Sequence, residues 1–400
     1  MRRQLVRPVR RGSLVPAVAL AILVIGTAMA LVFDRLWIDA AKGELTTAAE
    51  AAALAAAGQL ATDDLLRPDV ESATIVDAAR AAGIDIAATN RVAGTPINLD
   101  ASGDGDIRFG RLVINEDTGE AQFLETNHFP TSVAVRASRT RAVGNPVARL
   151  FQSSAAGPGA DVEVIVEATI NNRVTGFRAP VGGTVPALPM AILDVHPLSD
   201  RRDTWTYQVE QGHGPDQLRF DAVTGTIVEG EDGLSEFTLK PMPKSRDKDE
   251  INMHIIDIGT ELDPSEISRQ VRSGWSVADL MSFDGTLDFL GPLSLTATPH
   301  LRDDSIDALA EIVGQTRICL LYNETTELSS HGEPDAATLT IRGFVAVRVM
   351  RVDFTDEGPI VIVQPAVVAT RSAVVADPDG TASHLSQIAS PYVYKISLTN

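Results

Sequence analysis

An apolar run free of charge lies near the N-terminus, and an alanine-rich segment follows it closely. The run reads "LVPAVALAILVIGTAMALVF" at residues 14–33, and the second segment reads "ELTTAAEAAALAAAGQLA" at residues 44–61. Twenty residues at about 1.5 Å each make a helix of about 30 Å, which matches the hydrocarbon core of a bilayer. The run therefore predicts one transmembrane helix.

The charges that flank this run predict its direction. Five arginines lie among the first eleven residues, and Asp34 follows the run directly. Because basic flanks stay in the cytoplasm, we expect a cytoplasmic N-terminus, a single pass through the inner (cytoplasmic) membrane and an extracytoplasmic body. A cleaved signal peptide is the alternative, since Ala28-Met29-Ala30 forms an A-x-A cleavage pattern. Both interpretations place the body outside the cytoplasm.

The alanine-rich segment continues the helical pattern beyond the run. One face repeats at steps of four, three, four and four residues and consists of Leu45, Ala49, Ala52, Ala56 and Leu60. Alanine is the best helix former, so we expect one nearly continuous helix over residues 13–66. Small side chains let a second helix approach closely, which favours packing in a bundle or against the protein's own outer domain. An alanine-rich stalk that packs against nothing specific is the alternative.

This N-terminal region resembles that of TadG-like Flp-pilus assembly proteins. The family pattern has an arginine–glycine start, an apolar span, an aspartate at its exit and an "AADAAALA"-type segment. Arg11-Gly12, Asp34, Glu44-Leu45 and "AAEAAALA" at residues 48–55 occupy these places. The segments "GDIRFG" at residues 105–110 and "VAVRASRTRAVGNPVARLF" at residues 133–151 resemble the β-rich part that follows in such chains.

The resemblance implies helix packing as the role of the N-terminal residues and a Tad (Flp) pilus or related envelope apparatus as the setting. The implied packing residues are Gly12, Asp34, Leu45, Ala49, Ala52, Ala56 and Leu60. Two features of relatives are missing. No D-x-S-x-S loop of a von Willebrand A domain is present, and the fifth residue after Gly12 is Ala17 instead of the glutamate expected for prepilin processing.

The remaining pattern predicts an α+β fold in which β-rich extracytoplasmic domains follow the long helix. We expect a basic tail at 1–12, the span and alanine-rich helix at 13–66, an α+β domain at 67–180, a small β unit at 181–236, a polar linker at 237–250 and a C-terminal α+β domain at 251–400.

Shorter elements follow from periodicity and turn residues. We expect helices at 69–83, closed by Gly83, and after the possible N-caps Asp263 and Ser305. We expect strands in "RFGRLVI", "AQFLET", "SVAVRAS", "VEVIVEATI", "PMAILDV", "WTYQVEQ" and "LRFDAVTGTIVEG", and in the apolar runs of the C-terminal region.

One stretch has part of a calcium-loop pattern. Asp100, Ser102, Asp104 and Asp106 alternate as the oxygen ligands of an EF-hand do, but Arg111 stands where the loop requires a bidentate glutamate. We therefore weigh a weak calcium site at Asp100–Asp106 against a solvated turn before a strand and favour the turn.

Other chemistry has little support in the sequence. The net charge of −19 opposes nucleic-acid binding, and the lone Cys319 precludes an internal disulfide and a thiolate zinc cluster. The seven histidines lack the spacing of a metal site, and no G-x-S-x-G, P-loop or Rossmann motif occurs. The pairs Asp63-Asp64 and Asp303-Asp304 are interpreted as solvent-facing or capping residues.

The sequence therefore predicts a protein that is not an enzyme and has no cofactor, no nucleic-acid partner and no identified small-molecule substrate. Its expected partners are the membrane bilayer and other Tad pilus or envelope proteins. An anchored extracytoplasmic hydrolase, with a site assembled by the fold, and an anchored binding or spacer module unrelated to pili are the alternatives.

Overall fold

A computed structural model describes residues 14–114, 121–151, 159–196, 201–243, 250–327, 336–355, 358–376 and 389–399. Its α-helices are α1 (Val15–Leu60), α2 (Ser72–Thr89), α3 (Pro264–Ser273) and α4 (Asp303–Glu311). Strands make up most of the regular structure after α2. The predicted α+β class is confirmed in this form, as a long apolar N-terminal helix followed by a β-rich body.

Most of the strands are short, and they recur throughout the body that follows α2. In chain order they are β1 (Arg91–Val92), β2 (Thr95–Pro96), β3 (Ile107–Ile114), β4 (Ala121–Glu125), β5 (Ser132–Arg139), β6 (Val147–Ala148), β7 (Gly159–Ala160), β8 (Val162–Asn171), β9 (Val174–Phe177), β10 (Ala187–Leu193), β11 (Leu218–Asp221), β12 (Thr226–Glu229), β13 (Phe237–Leu239), β14 (Met253–Ile256), β15 (Leu287–Asp288), β16 (Leu293–Thr298), β17 (Thr316–Glu327), β18 (Ala337–Thr355), β19 (Gly358–Pro365), β20 (Val368–Ala369), β21 (Ala373–Val375) and β22 (Val393–Thr399).

Helix α1 is continuous through both the apolar run and the alanine-rich segment, but it ends at Leu60 instead of residue 66. The Ala61 amide bonds the Gly58 carbonyl, Thr62 is extended, and a separate 3-10 turn spans Asp63–Leu66. Gly58, a poor helix former, lies two residues before the end of α1, and Pro68, a stronger helix breaker, lies beyond it.

Helix α2 differs from the prediction at its C-terminal end. It passes through Gly83 and continues to Thr89. Apolar and small residues recur on its buried face at Ile75, Ala79, Gly83 and Ala87, so the four-residue spacing is kept beyond the glycine. A glycine inside a helix costs about 1 kcal/mol relative to alanine, which burial of the face offsets.

The largest sheet has the strand order β13-β19-β18-β16-β14-β10-β17, and β17 also pairs with β18. This extra pairing closes β18, β16, β14, β10 and β17 into a ring. The β10–β17 pair is parallel, and the other pairs of the ring are antiparallel. Closure satisfies the backbone groups that an open edge strand would expose.

The main hydrophobic core surrounds this ring. All seven residues of β10 and all four of β14 are buried. Trp205, Phe237 and Trp275 are fully buried members of the same core cluster. A strand buried along its whole length requires a continuous apolar run, and "ALPMAIL" in β10 provides one.

A second sheet has the order β20-β22-β8-β5-β3-β4. Smaller sheets are formed by β15-β9-β21, β11-β12, β6-β7 and β1-β2. The predicted strands at β3, β4, β5, β8, β10, β11 and β12 are confirmed, and so are those of the C-terminal region.

The predicted helix after Asp263 is confirmed, with the Asp263 side chain accepting the amides of Ser265 and Glu266. Helix α4 begins at Asp303 with Arg302 at the N-cap, so Ser305 lies inside the helix and is buried. Asp303 and Asp304 occupy the first turn of α4, where carboxylates favour the helix dipole.

Two segments differ from their predicted state. The segment "WTYQVEQ" is not the expected strand, because Thr206–Glu210 forms a π-helical turn beside the fully buried Trp205. The predicted polar linker at 237–250 contains β13, which pairs with β19, and Phe237 is fully buried there. Residues 244–249 of this linker lie outside the described part of the chain.

The chain divides into two compact units. Unit 1 contains residues 1–53, 83–108 and 134–166, and unit 2 contains residues 54–82, 109–133 and 167–400. Strands β10, β13 and β14 of unit 2 belong to one sheet. Pairing between strands that are distant in the chain decides which strands share this sheet, and this pairing is not evident from local composition.

Candidate functional site

The first half of α1 exposes its apolar side chains. Leu20, Ile22 and Leu23 are 64–66 % exposed, and none of the most apolar window of the helix is buried. By length and composition, α1 is the one helix among the described residues that is able to cross a membrane. Exposed apolar surface of this extent is unfavourable in water, so the first half of α1 is suited to an apolar environment.

Burial begins abruptly at Asp34, within unit 1. The Asp34 side chain is only 5 % exposed, and its Oδ1 accepts a hydrogen bond from the Phe151 amide at 3.0 Å. One turn later, the half-buried Trp37 donates its indole Nε1–H to the Ala148 carbonyl at 2.9 Å. Two helix side chains thus hold one segment, residues 147–151, which we name the clasp.

A short strand and a turn of unit 1 fix the backbone of the clasp beside α1. The first two clasp residues form β6, in which Val147 pairs with Ala160. Two residues before the clasp, the Asn145 backbone carbonyl accepts a hydrogen bond from the Arg139 guanidinium, and the Asn145 side-chain oxygen accepts one from the Thr140 amide. These bonds fix the turn that leads into the clasp, so the position of Ala148 and Phe151 is set by the fold of the unit.

A second contact on α1 lies farther along the helix, at Glu44. Its Oε2 accepts the Ala93 amide at 2.7 Å. Ala93 and Gly94 have φ of 48° and 80° and connect β1 to β2 in the manner of a type I′ turn. Positive φ is uncommon for alanine, and the bond to Glu44 stabilises this strained residue. Ten residues of helix separate Glu44 from Asp34, which is about 15 Å.

The predicted packing face of α1 is covered by the protein's own chain. Leu45, Ala49 and Ala52 in unit 1 are at most 1 % exposed. Ala56 and Leu60 in unit 2 are at most 2 % exposed. Gly12 lies outside the described residues. The alanine-rich half is therefore not a stalk that packs against nothing, and the predicted face is closed to a second helix in this fold.

Unit 2 holds the chain just beyond the end of α1. Asp63 accepts hydrogen bonds from the Arg348 guanidinium at 2.5 Å and from the Val367 amide at 2.6 Å. Arg348 lies over the Phe220 ring, with 3.8 Å between the guanidinium carbon and the ring centroid. The expectation of a solvent-facing or capping Asp63-Asp64 pair is therefore wrong for Asp63, since the fold brings β18 to it. Asp64 bonds Arg67 near the surface.

Sequence reasoning finds Asp34 but misses its partners. The clasp lies inside the segment at residues 133–151 that resembles TadG-like chains, yet no residue of it signals a contact with α1. Ala148 and Phe151 contribute backbone groups, which carry no side-chain pattern. Trp37 lies near the exit of the run, and its hydrogen bond depends on a residue more than a hundred positions away.

The calcium-like stretch forms a hydrogen-bonded turn. Asp100 accepts the Ser102 amide at 3.0 Å and the Ser102 hydroxyl at 2.9 Å, and these bonds lower the pKa of Asp100. Asp106 accepts the Asp100 amide at 2.9 Å. Among the residues that the structure describes, no three His, Cys, Asp or Glu side chains form a group suited to a metal ion. The favoured interpretation, a turn before a strand, fits this geometry.

A pair of carboxylates approaches within the β-rich body of unit 2. The Thr206 hydroxyl bonds Asp194 Oδ1 at 2.9 Å and lies 3.4 Å from Glu210 Oε2. Burial raises the pKa of both carboxyl groups, and the Asp194 charge adds to the rise for Glu210. Asp194 also joins this turn through its backbone, since its carbonyl accepts the Thr206 amide. These contacts indicate that Asp194 and Glu210 stabilise the π-helical turn.

Two buried groups of unit 2 are held in their neutral forms. His254 on β14 has Nδ1 at 3.1 Å from the Tyr322 hydroxyl, and burial lowers its pKa to about 4. Burial raises the pKa of the Cys319 thiol to about 12. Both side chains belong to strands of the closed ring, where they pack as neutral members of the core.

In unit 1, α1 up to residue 53, the clasp and the β1–β2 turn thus form the part in which the exposed apolar half of the helix meets a hydrogen-bonded fold. Comparisons with family models, with curated proteins and with solved structures each gave no match.

Proposed function

We propose that this protein is a membrane-anchored component of a Tad/Flp-type pilus assembly or a related envelope apparatus and acts through protein–protein contacts. One observation carries the anchoring part. Within a single helix, the large apolar side chains of residues 14–33 are exposed, whereas the first buried residue is Asp34. A bilayer supplies the apolar surroundings that the first half lacks.

The arginines before the span and the aspartate after it support a cytoplasmic N-terminus and an extracytoplasmic body at the inner membrane. Retention of the span is favoured over cleavage after Ala30. Cleavage there would leave Asp34 and Trp37 in the first two turns of a shortened helix, where helices fray. Both residues hold the clasp, so an intact helix stabilises unit 1.

The pilus part of the proposal rests on the resemblance of the N-terminal motifs to TadG-like chains. Because the alanine face is covered, we place the proposed contact with partner helices in the span instead. Gly26 and Ala30 lie four residues apart there, as do Ala17 and Ala21. Such pairs of small residues permit close helix approach in lipid.

Anchoring is tested by membrane flotation and carbonate extraction of the full chain, with mass spectrometry of its N-terminus. We expect the chain to float with lipid, to resist carbonate and to retain residues preceding Ala30. Protease added to spheroplasts is expected to degrade the body. Recovery of the full-length chain in the soluble fraction, or protection of the body in spheroplasts, would refute the proposed anchor or its direction.

The partner contact is tested with Gly26→Leu, and Gly43→Leu is the matched control. Both glycines are exposed, and a Cβ added at either one meets no atom from another part of the chain within 4 Å, so the two sites offer similar space for a side chain. We expect Gly26→Leu to reduce crosslinking to proteins encoded beside a secretion ATPase and a prepilin peptidase. Gly43→Leu, outside the span, is expected to leave crosslinking unchanged. Equal crosslinking in both variants would contradict the contact.

A further inference from the structure

The clasp exposes two large apolar side chains. Leu150 is 54 % exposed and Phe151 is 49 % exposed. The clasp is nonetheless held firmly, because the Phe151 amide donates to Asp34 and the Ala148 carbonyl accepts from Trp37. A fixed backbone that presents adjacent leucine and phenylalanine to the outside calls for an apolar partner.

The position of this pair along α1 identifies the partner. Asp34 directly follows the last residue of the charge-free run, and Trp37 lies three residues farther, which is about 5 Å of helix rise. Phe33 and Leu36, on the same stretch of helix, are 48 % and 59 % exposed. The clasp side chains are therefore tied to the helix at the level where a spanning helix leaves the hydrocarbon core.

We propose that Leu150 and Phe151 insert into the interfacial layer of the bilayer on the side where α1 leaves the membrane. This inference rests on the proposed anchoring of α1. Aromatic and aliphatic side chains are favourable at that depth, and Trp37 beside them belongs to the residue type enriched in this layer. Arg149 precedes the pair and carries the charge that lipid phosphates attract.

A second contact with lipid changes how the protein is held. A single helix is able to tilt and rotate in the bilayer, with tilt set by its neighbours and by interfacial residues. The clasp lies beside α1 and reaches it from a distant part of the sequence. Insertion of its two side chains fixes the rotation of α1 and keeps unit 1 close to the membrane surface.

Spin labels on introduced cysteines test this depth in the full chain, reconstituted in phosphatidylcholine–phosphatidylglycerol vesicles. Cys319 is fully buried, and burial raises its pKa to about 12, so labelling is confined to the introduced site. Leu150→Cys is the test position. Leu23→Cys in the span is the lipid reference, and the exposed Thr47→Cys, about 20 Å beyond residue 33 along α1, is the water reference.

Collision with oxygen, which concentrates in lipid, is compared with collision with a nickel chelate, which stays in water. We expect the oxygen-to-nickel ratio at residue 150 to be several times that at residue 47 and to approach the ratio at residue 23. A ratio at 150 equal to that at 47, with a lipid-like ratio at 23, overturns the clasp insertion and leaves the anchor intact. A water-like ratio at 23 overturns both. Phe151→Cys repeats the measurement from the neighbouring exposed side chain.

Discussion

The two halves of α1 share one backbone and meet opposite surroundings. Residues 14–33 carry leucine, isoleucine, valine and phenylalanine, and these side chains are exposed. Alanine is the commonest residue in 34–60, and Asp34, Leu45, Ala52 and several other residues of this half are buried. Large side chains face outward where lipid is the expected neighbour, and small side chains face inward where the protein itself packs.

Apolarity alone does not distinguish the lipid-facing half of α1 from the protein-facing half. Side-chain volume does so more clearly, because a close-packed interior requires short side chains where backbone approaches backbone. The polar contacts of α1 are likewise confined to its second half. Asp34, Trp37 and Glu44 bond the protein's own backbone, and all of them lie after the apolar run.

The largest expected effect is just beyond the buried half, where Asp63 accepts a hydrogen bond from Arg348. Asp63→Ala leaves the guanidinium without this carboxylate and the Val367 amide without its acceptor. Arg348 is 11 % exposed and Asp63 26 % exposed, so both lost hydrogen bonds involve a partly buried charged group. We expect the free energy of unfolding to fall by roughly 2–4 kcal/mol. Chemical denaturation in detergent micelles measures it.

Asp64→Ala is the matched control, because Asp64 and Arg67 are 37 % and 36 % exposed. A loss of at most about 1 kcal/mol is expected there. Equal losses for the two neighbouring aspartates would show that Asp63 does not fix the chain just beyond the buried half.

A low pH is expected to destabilise the folded β-rich body while leaving the apolar half of α1 in lipid. The folded state holds the pKa of His254 at about 4, below its ordinary value of 6.5, because burial disfavours the charged ring. Stability that is complete above pH 6.5 is therefore lost as the pH falls towards 4, by up to about 3 kcal/mol. The span between residues 14 and 33 contains no titratable side chain and is expected to stay in lipid.

The difference in unfolding free energy between wild type and His254→Gln isolates this contribution. It is expected to change between pH 7 and pH 5, with the wild type losing more stability. Asp194 and Glu210, whose raised pKa values act in the opposite sense, are present in both proteins and cancel. A difference that is constant with pH would contradict a neutral buried His254.

Overpacking tests the small side chains of the buried half. Ala52 is fully buried in unit 1, whereas Ala40 on the same helix is exposed. Ala52→Leu adds volume to a filled interior, and we expect a loss of about 1–3 kcal/mol in unfolding free energy. Ala40→Leu is expected to change it by at most about 0.5 kcal/mol. Comparable tolerance at both positions would indicate that the alanine face is not close-packed.

The smallest expected effect is at the junction of the halves. Trp37→Phe keeps an aromatic ring and removes the hydrogen bond to the Ala148 carbonyl. We expect faster hydrogen exchange in the clasp, equivalent to about 0.5–1.5 kcal/mol of local stability. Arg35→Gln, which removes an exposed ion pair with Asp39, is the control and is expected to leave exchange of the clasp unchanged. Unaltered exchange in Trp37→Phe would show that the Trp37 hydrogen bond does not stabilise the clasp.

Several elements are predictable because their signals are local. The apolar run and the alanine periodicity predict α1 nearly to its end, and Asp263 correctly marks the start of α3. The strand prediction for "WTYQVEQ" is wrong because tertiary packing of Trp205 overrides the alternation. The strand at Phe237 escapes prediction because it is three residues long and is surrounded by polar residues.

The sequence by itself determined that a long helix precedes a β-rich body, because hydrophobic length and periodicity are properties of neighbouring residues. It also singled out Asp34 as the residue that ends the apolar run. Only the tertiary structure decided what Asp34, Trp37, Glu44 and Asp63 bind and which strands close the ring. These partners are distant in sequence and are in part backbone groups, which every residue carries alike, so their choice depends on how the whole chain folds.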